Sequence, residues 1–268
     1  MECKEIYDLI CAYMDEELDQ DIRDSIEKHI NSCAICKSEI SGYLSIRGLI
    51  RKRLSNISAP ETLRKRIASE MLRINDYRES GISALDLVPW GTHVAHLYKE
   101  RDDLIEVLIP YIAKGLEQNE RCIWITLDIS KDGILNSLKK ELPDAYKYMD
   151  KGQLGIINYE DWYLPDGSFG VERTVNNALN EYRRSISEGY SGFRCTGTLS
   201  WLDSEYWDSF MEYERLLDSK VPGSKLLIIC SYKEGRHTRD GIHSIMSSHK
   251  FLLSRMNRSW RIYKEDIV

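Results

Sequence analysis

The chain has 268 residues, of which 42% are hydrophobic and 30% charged, and a formal net charge of −6. This is the composition of a globular protein with enough apolar material for a packed core. The acidic balance speaks against a general nucleic-acid binder, which needs clustered Lys and Arg to neutralise phosphates. No apolar run approaches the ~20 residues of a membrane span, and the opening MECKEIYDLICAYMDEELD lacks the basic and apolar regions of a signal peptide. The expectation is a cytoplasmic protein.

The first third reads as helical. Ile6, Leu9, Ile10, Tyr13, Met14 and Leu18 recur at three- and four-residue steps, predicting a first helix. Asp19 is placed to cap a second, carrying Ile22, Ile26, His29 and Ile30. A third is predicted from about Ala34 to Leu54, with Ile40, Tyr43, Leu44, Leu49 and Ile50. Ser58-Ala59-Pro60-Glu61 reads as a helix start, because proline is tolerated in the first turn. A fourth helix follows, with Leu63, Ile67, Met71, Leu72 and Ile74 on one face.

Beyond residue 90 short apolar runs alternate with helical stretches. Strands are predicted at His93–Tyr98, Cys122–Leu127, Leu154–Asn158, Gly192–Thr196, Leu226–Ser231 and Arg261–Tyr263. Helices are predicted at Asp102–Gln118, with Pro110 as an interruption, and at Ser130–Met149, Gly170–Glu188, Glu205–Asp218 and about Arg239–Leu253. Such alternation implies a parallel sheet covered by helices on both faces. The expected architecture is multidomain, all-α followed by α/β: a helical unit at 1–80, a linker at 81–92 and an α/β unit at 93–268.

The seven cysteines do not suggest a disulfide framework in a cytosolic chain. Cys122, Cys195 and Cys230 sit in apolar runs and read as small buried hydrophobes. The others carry the sharpest motif, His29-Ile-Asn-Ser-Cys33-Ala-Ile-Cys36. His29 and Cys33 lie one turn apart on a helix face, and Cys36 follows after a short break. Structural zinc wants four N or S ligands in a tetrahedron. Cys3 is the natural fourth if the first helix packs against the second, and Cys11, two turns along that helix, is the rival.

With Ala12-Tyr13-Met14-Asp15-Glu16-Glu17-Leu18, this segment resembles the zinc-binding anti-sigma factor domain, which has an upstream Cys and a His-x3-Cys-x2-Cys. Glu16 stands where that family usually has Gly. The resemblance covers about residues 1–78. It implies that the unit holds a sigma factor of the extracytoplasmic-function type away from RNA polymerase. Some members release zinc on thiol oxidation, a role in which Cys11 would partner Cys33 or Cys36.

In the second unit, Gly91-Thr92-His93-Val94-Ala95-His96-Leu97-Tyr98, Gly192-Phe193-Arg194-Cys195-Thr196-Gly197-Thr198-Leu199-Ser200-Trp201 and Ile229-Cys230-Ser231-Tyr232 resemble, in order, the methanogen/methylotroph sensory (MEDS) domain, the sensor half of the dichloromethane-responsive regulator. This resemblance, over about 85–265, implies a RecA/KaiC-like fold that senses a small molecule, fused to an output module.

The residues themselves favour binding over catalysis. A RecA-like NTPase needs Gly-x4-Gly-Lys-Ser/Thr after its first strand, and here Lys99-Glu100-Arg101-Asp102-Asp103 stands in that place. No Gly-x-Ser-x-Gly or Gly-x-Gly-x-x-Gly occurs either, so the chain is not expected to be an enzyme. Parallel sheets bind ligands beyond the C-terminal ends of their strands. The candidates there are Tyr98, Glu100, Asp128, Tyr159, Arg194, Thr196, Trp201 and Tyr232, with Glu160 and Trp162. Arg194 inside an apolar strand needs a partner, either Glu100, Asp128 or another internal carboxylate, or an anionic ligand. His93 and His96, three apart on a strand, point to opposite faces and are not expected to share a metal.

The leading expectation is therefore a regulator in which a zinc module sequesters a sigma factor or another transcription protein under control of a small-molecule effector. The alternatives are a degenerate RecA-like nucleotide-binding protein with a zinc docking element, and a DNA-binding regulator using the basic patch Arg47, Arg51, Lys52 and Arg53. Against direct nucleic-acid contact stands the acidic cluster Asp15, Glu16, Glu17, Asp19, Asp21 and Asp24. A homodimer is an admissible assembly.

Overall fold

The structure is a computed structural model and describes residues 2–15, 17–54, 60–73, 77–256 and 259–263. The helix-start signal Ser58-Ala59, Ile74 and Glu16 lie outside the described residues, as do the side chains of Arg51, Lys52, Arg53, Met71 and Leu72. The chain divides into two compact units, residues 1–67 and 68–268.

The first unit is helical: α1 (Cys3–Met14), α2 (Gln20–Ser32), α3 (Ala34–Leu54) and the start of α4 (Glu61–Arg73). Asp19 occupies the N-cap position of α2. Helix α2 stops at Ser32 because Cys33 turns extended (φ −112°, ψ 107°), and α3 begins at once. The core is small. Ile6, Ile10, Ile26 and Ile40 are buried, with Leu9, Tyr13, Leu18 and Ile30 packed around them.

The second unit is built on a seven-stranded sheet. Its strands are β3 (Thr92–Tyr98), β4 (Arg121–Thr126), β5 (Leu154–Asn158), β6 (Phe193–Thr198), β7 (Leu226–Lys233), β8 (Phe251–Met256) and β9 (Ser259–Tyr263), in the spatial order β5-β4-β6-β7-β3-β8-β9. All neighbours run parallel except the β8–β9 pair. The expected helical unit followed by a parallel α/β sheet is thus present. The buried strands alternate between two cores, as the period of two requires. Val94, Tyr98, Cys122, Trp124, Leu227 and Ile229 join one layer, under α5 (Arg101–Glu117) and α6 (Lys131–Leu138). Ala95, Leu97, Ile123, Ile125, Ile228 and Cys230 join the other, under α9 (Val171–Ser187) and α10 (Trp207–Lys220).

Several elements differ from expectation. The stretch 81–92, read as a linker, belongs to the body of the second unit. Strands β1 (Tyr77–Glu79) and β2 (Leu87–Pro89) form an antiparallel hairpin that buries Ile82, Leu85 and Val88. Gly81 (φ +85°) makes the turn possible, since any Cβ there would strike the Pro110 carbonyl. Pro110 sits inside a continuous α5. The predicted helix Ser130–Met149 is two, α6 and α7 (Ala145–Asp150), because Pro143 cannot continue α6. The predicted helix Arg239–Leu253 is α11 (Arg239–Ser247) followed by β8. The Ser248 hydroxyl caps the Ser244 and Ile245 carbonyls, and the Lys250 amide donates to the His93 carbonyl, drawing the chain into the sheet. A short helix α8 (Tyr159–Tyr163) follows β5.

Candidate metal centre and effector site

In the first unit, the break at Cys33 brings four ligand atoms together. Those of Cys3, His29, Cys33 and Cys36 all lie within 4.8 Å of one another. Cys3 Sγ is 3.5 Å from His29 Nε2 and 3.8 Å from Cys33 Sγ. A tetrahedral ion with metal–N near 2.0–2.1 Å and metal–S near 2.3 Å sets its ligand atoms about 3.4–3.8 Å apart, so the residues fit zinc. The local backbone explains why. Cys33 is the C-cap of α2, one turn beyond His29, while Cys36 lies in the first turn of α3. The Cys36 amide at that helix start donates to the Cys33 thiolate and lowers its pKa to about 6. Burial, with the neighbouring thiols, pushes Cys36 up to about 12. Three thiols this close cannot all ionise unless a cation joins them. Cys11 is exposed and stands outside the cluster, in a surface depression with Met14, Tyr43, Ile46 and Ile50.

In the second unit, only some of the predicted effector residues come together. At the C-terminal edge of the sheet, the Tyr98 hydroxyl donates to Asp128 (2.8 Å), and Ser200 donates to the same carboxylate oxygen (2.7 Å). Burial, then the Asp128 charge, raises the Tyr98 pKa. Tyr159 stacks on Trp201 at 5.8 Å beside this cluster. Glu100 is exposed and forms a capping box with Asp103 at the start of α5. Trp162 is buried, and the exposed Glu160 takes the Asn158 side-chain cap through its amide.

Arg194, Thr196 and Tyr232 require correction. Arg194 is the second residue of β6, beside Cys122 and Leu227 near the N-terminal ends of their strands. It is wholly buried, and all five of its N–H donors are used. They go to both Glu120 oxygens (2.7 and 3.2 Å) and to the carbonyls of Ser80, Tyr111 and Glu79. Its partner is Glu120, not Glu100, Asp128 or an anion, and it fastens the β1–β2 hairpin to the sheet. Thr196 lies within the sheet, fully buried. Tyr232 is buried with its hydroxyl 2.6 Å from Glu214 Oε1.

The open cavity at the C-terminal edge is lined by other residues. It measures about 420 Å³ and is bordered by Leu202, Asp203, Trp207, Asp208, Arg236, His237, Thr238 and Gly241. These sit in the loops after β6 and β7 and at the starts of α10 and α11, where a parallel sheet offers ligand sites. Arg236 donates to the Ser200 carbonyl, linking the cavity to the Tyr98–Asp128 cluster. Trp207 and His237 face each other at 5.0 Å, and burial, with Arg236, lowers the His237 pKa. The volume suits a small organic molecule. None of these lining residues is among the sequence-predicted candidates, although Arg236-His237 stands just past an apolar strand.

His93 and His96 diverge as expected. His96 is fully buried, its Nδ1 3.1 Å from the Ser231 hydroxyl, and burial holds its pKa down at about 3. The unfolded imidazole titrates near 6.5, so below that pH the unfolded chain binds a proton that the fold refuses. This contribution to stability is intact above pH 6.5 and is lost as pH falls toward 3. A His96→Gln variant is expected to flatten the acid limb of stability between about pH 6.5 and 4, as read from urea midpoints. An unchanged limb would remove His96 from the acid response.

Sequence reasoning missed one further cluster. His93, Glu214, Cys230 and His249 bring ligand atoms within 4.8 Å, and all four are buried. Burial opposes charge on His93, but the Asp218 and Glu214 carboxylates outweigh it and raise its pKa to about 9. The four residues come from β3, α10, β7 and the turn before β8, so no local spacing announces them.

A zinc-finger family matches residues 3–37. No curated protein gives a match. Among solved structures, the chain is similar to a KaiC-like protein of the hyperthermophilic archaeon Pyrococcus horikoshii OT3, at 18% identity over 65% of this chain and 77% of that one, with TM-score 0.41. It is also similar to the flagellar accessory protein FlaH of Methanocaldococcus jannaschii, at 11% identity over 65% and 77%, with TM-score 0.43. The MEDS family, the methanogen/methylotroph, DcmR sensory domain, matches residues 92–250, more than half of the chain. A zinc-finger segment precedes it, and the chain belongs to the MEDS family of sensory domains.

Proposed function

We propose that the protein is a transcription regulator whose zinc-loaded helical unit sequesters a sigma factor, or a comparable transcription protein, under control of a small effector bound by the MEDS unit. The observation that carries this reading is the convergence of Cys3, His29, Cys33 and Cys36 at the junction of α1, α2 and α3. Zinc held there fixes the helices and supplies no catalysis, since four protein ligands leave no open position. Helix α3 also exposes Ile35, Leu44, Ile46, Leu49 and Ile50, all more than half exposed. An apolar stripe of this kind suits docking to another protein.

The effector is assigned to the cavity between Trp207, Arg236 and His237, beside Asp128. Phosphate binding and NTP hydrolysis are not part of this reading. At the start of α5, where a phosphate would sit, the Lys99 and Glu100 amides donate to the Asp103 carboxylate and the Asp103 amide donates to that of Glu100. The effector acts by binding the partner-free and partner-bound states with different affinity.

The test is binding of the full chain to an extracytoplasmic-function sigma factor, followed by fluorescence anisotropy. Saturable binding that is lost in Cys33→Ser is expected. Absence of binding by the zinc-loaded chain to sigma factors from its own host would overturn the assignment of partner.

A further inference from the structure

We propose that the MEDS unit itself carries a second metal site, for a divalent first-row transition ion of the zinc type, formed by His93, Glu214, Cys230 and His249. Four edges of the cluster lie within about 0.1 Å of the tetrahedral range. His93 Nε2 lies 3.2 Å from Glu214 Oε2 and 3.4 Å from Cys230 Sγ. Glu214 Oε2 lies 3.7 Å from Cys230 Sγ and 3.6 Å from His249 Nε2. Metal–N and metal–O bonds near 2.0–2.2 Å with a metal–S bond near 2.3 Å give edges of about 3.3–3.8 Å.

The outer atoms of His249 and Glu214 are already committed, and the inner atoms face the centre. His249 Nδ1 is 2.8 Å from the Ile245 carbonyl, which can only accept, so Nδ1 carries the hydrogen. Nε2 of the neutral ring is then a lone pair. It has no hydrogen-bond partner and faces a carboxylate oxygen, another acceptor. A positive centre between them resolves that conflict. His93 Nδ1 turns outward to Asp218 at 3.4 Å, within ion-pair reach but without hydrogen-bond geometry. Tyr232 donates to Glu214 Oε1 and leaves Oε2 for the centre. This is the outer-shell pattern of metal-bound histidine and carboxylate.

The donor set is two imidazoles, one thiolate and one carboxylate, which suits zinc-type ions and not magnesium or calcium. One thiolate and one carboxylate also balance a divalent charge in a site where exposure is 5% or less for every member. Four protein ligands close the site, so the ion would enter as the unit folds.

The experiment uses the full chain with Cys3→Ser, Cys33→Ser and Cys36→Ser together, which removes the first site. The chain is refolded with Co²⁺ and examined by elemental analysis and absorption spectroscopy. The expected result is one cobalt per chain with a thiolate-to-cobalt charge-transfer band, and loss of that band when Cys230→Ser is added. Should Cys230→Ser fail to fold, His249→Gln is expected to weaken cobalt binding at least about tenfold. A cooperatively folded triple variant that takes up no cobalt overturns the proposal, and so does a band indifferent to Cys230. Comparison with the unsubstituted chain, expected to hold two ions, separates failure of this site from failure of the helical one.

Discussion

Chelation of zinc is expected to unfold the helical unit while leaving the MEDS sheet in place. The reason is the size of the core. Four buried isoleucines, Ile6, Ile10, Ile26 and Ile40, hold α1, α2 and α3 together. Each contributes about 1.5–3 kcal/mol, and the backbone entropy of ordering three helices opposes them. Units this small commonly need a metal or disulfides, and structural zinc supplies about 10–16 kcal/mol of apparent binding free energy in zinc-finger peptides near neutral pH. Cys33→Ser should act as chelation does, because Cys33 joins α2 to α3 and faces both Cys3 and His29. Hydrogen exchange resolves the two units. Amides of α1 to α3 should lose protection, and those of β3, β6 and β7 should keep it. Retained protection in α1 to α3 after complete removal of the metal would show that the isoleucine core suffices and that zinc is not structural.

Arg194→Met is expected to destabilise the MEDS unit by about 3–5 kcal/mol, the usual cost of removing one partner of a buried ion pair. The guanidinium reaches Glu120 through two bonds and three backbone carbonyls besides, and stacks over Tyr111 at 4.7 Å. Its loss strands the wholly buried Glu120, which keeps Arg78 as a cationic neighbour at 3.8 Å. It also frees the carbonyls of Glu79 and Ser80, which anchor the hairpin. Adding Glu120→Leu should recover part of the loss, since the stranded charge is then gone. Urea melts of the two single variants and the double variant supply the cycle. A loss below about 1 kcal/mol for Arg194→Met would place the pair among ordinary surface bridges.

The contrast between these sites explains what could be read from the sequence. His29-x3-Cys33-x2-Cys36 is local, because one helix turn and one break fix the geometry, and only Cys3 had to arrive from a distance. Strand Leu154–Asn158 and helix Ala34–Leu54 were equally legible, bounded by clear changes of periodicity. Strand β8 was not. Phe251-Leu252-Leu253 is a short apolar run that suits helix or strand alike, and the tertiary bond from Lys250 to the His93 carbonyl decides it. Arg194 was visibly a residue in need of a partner, but its place in β6, near the strand start, was needed to see that Glu120 supplies it. The cavity at Trp207 and Arg236 depends on two loops that meet only because β6 and β7 are neighbours.

Strand β3 has a consequence for folding fidelity. It lies between β7 and β8, with His93 turned toward Glu214 and His96 toward Ser231 and Trp260 in the opposite layer. Sliding the strand by one residue would present Val94 to the carboxylate and push His93 among aliphatic side chains. Such a slip would strand both an acid and an imidazole in apolar surroundings. The two histidines thus serve as a registration mark, making misaligned pairings of an otherwise uniform apolar strand too costly to persist.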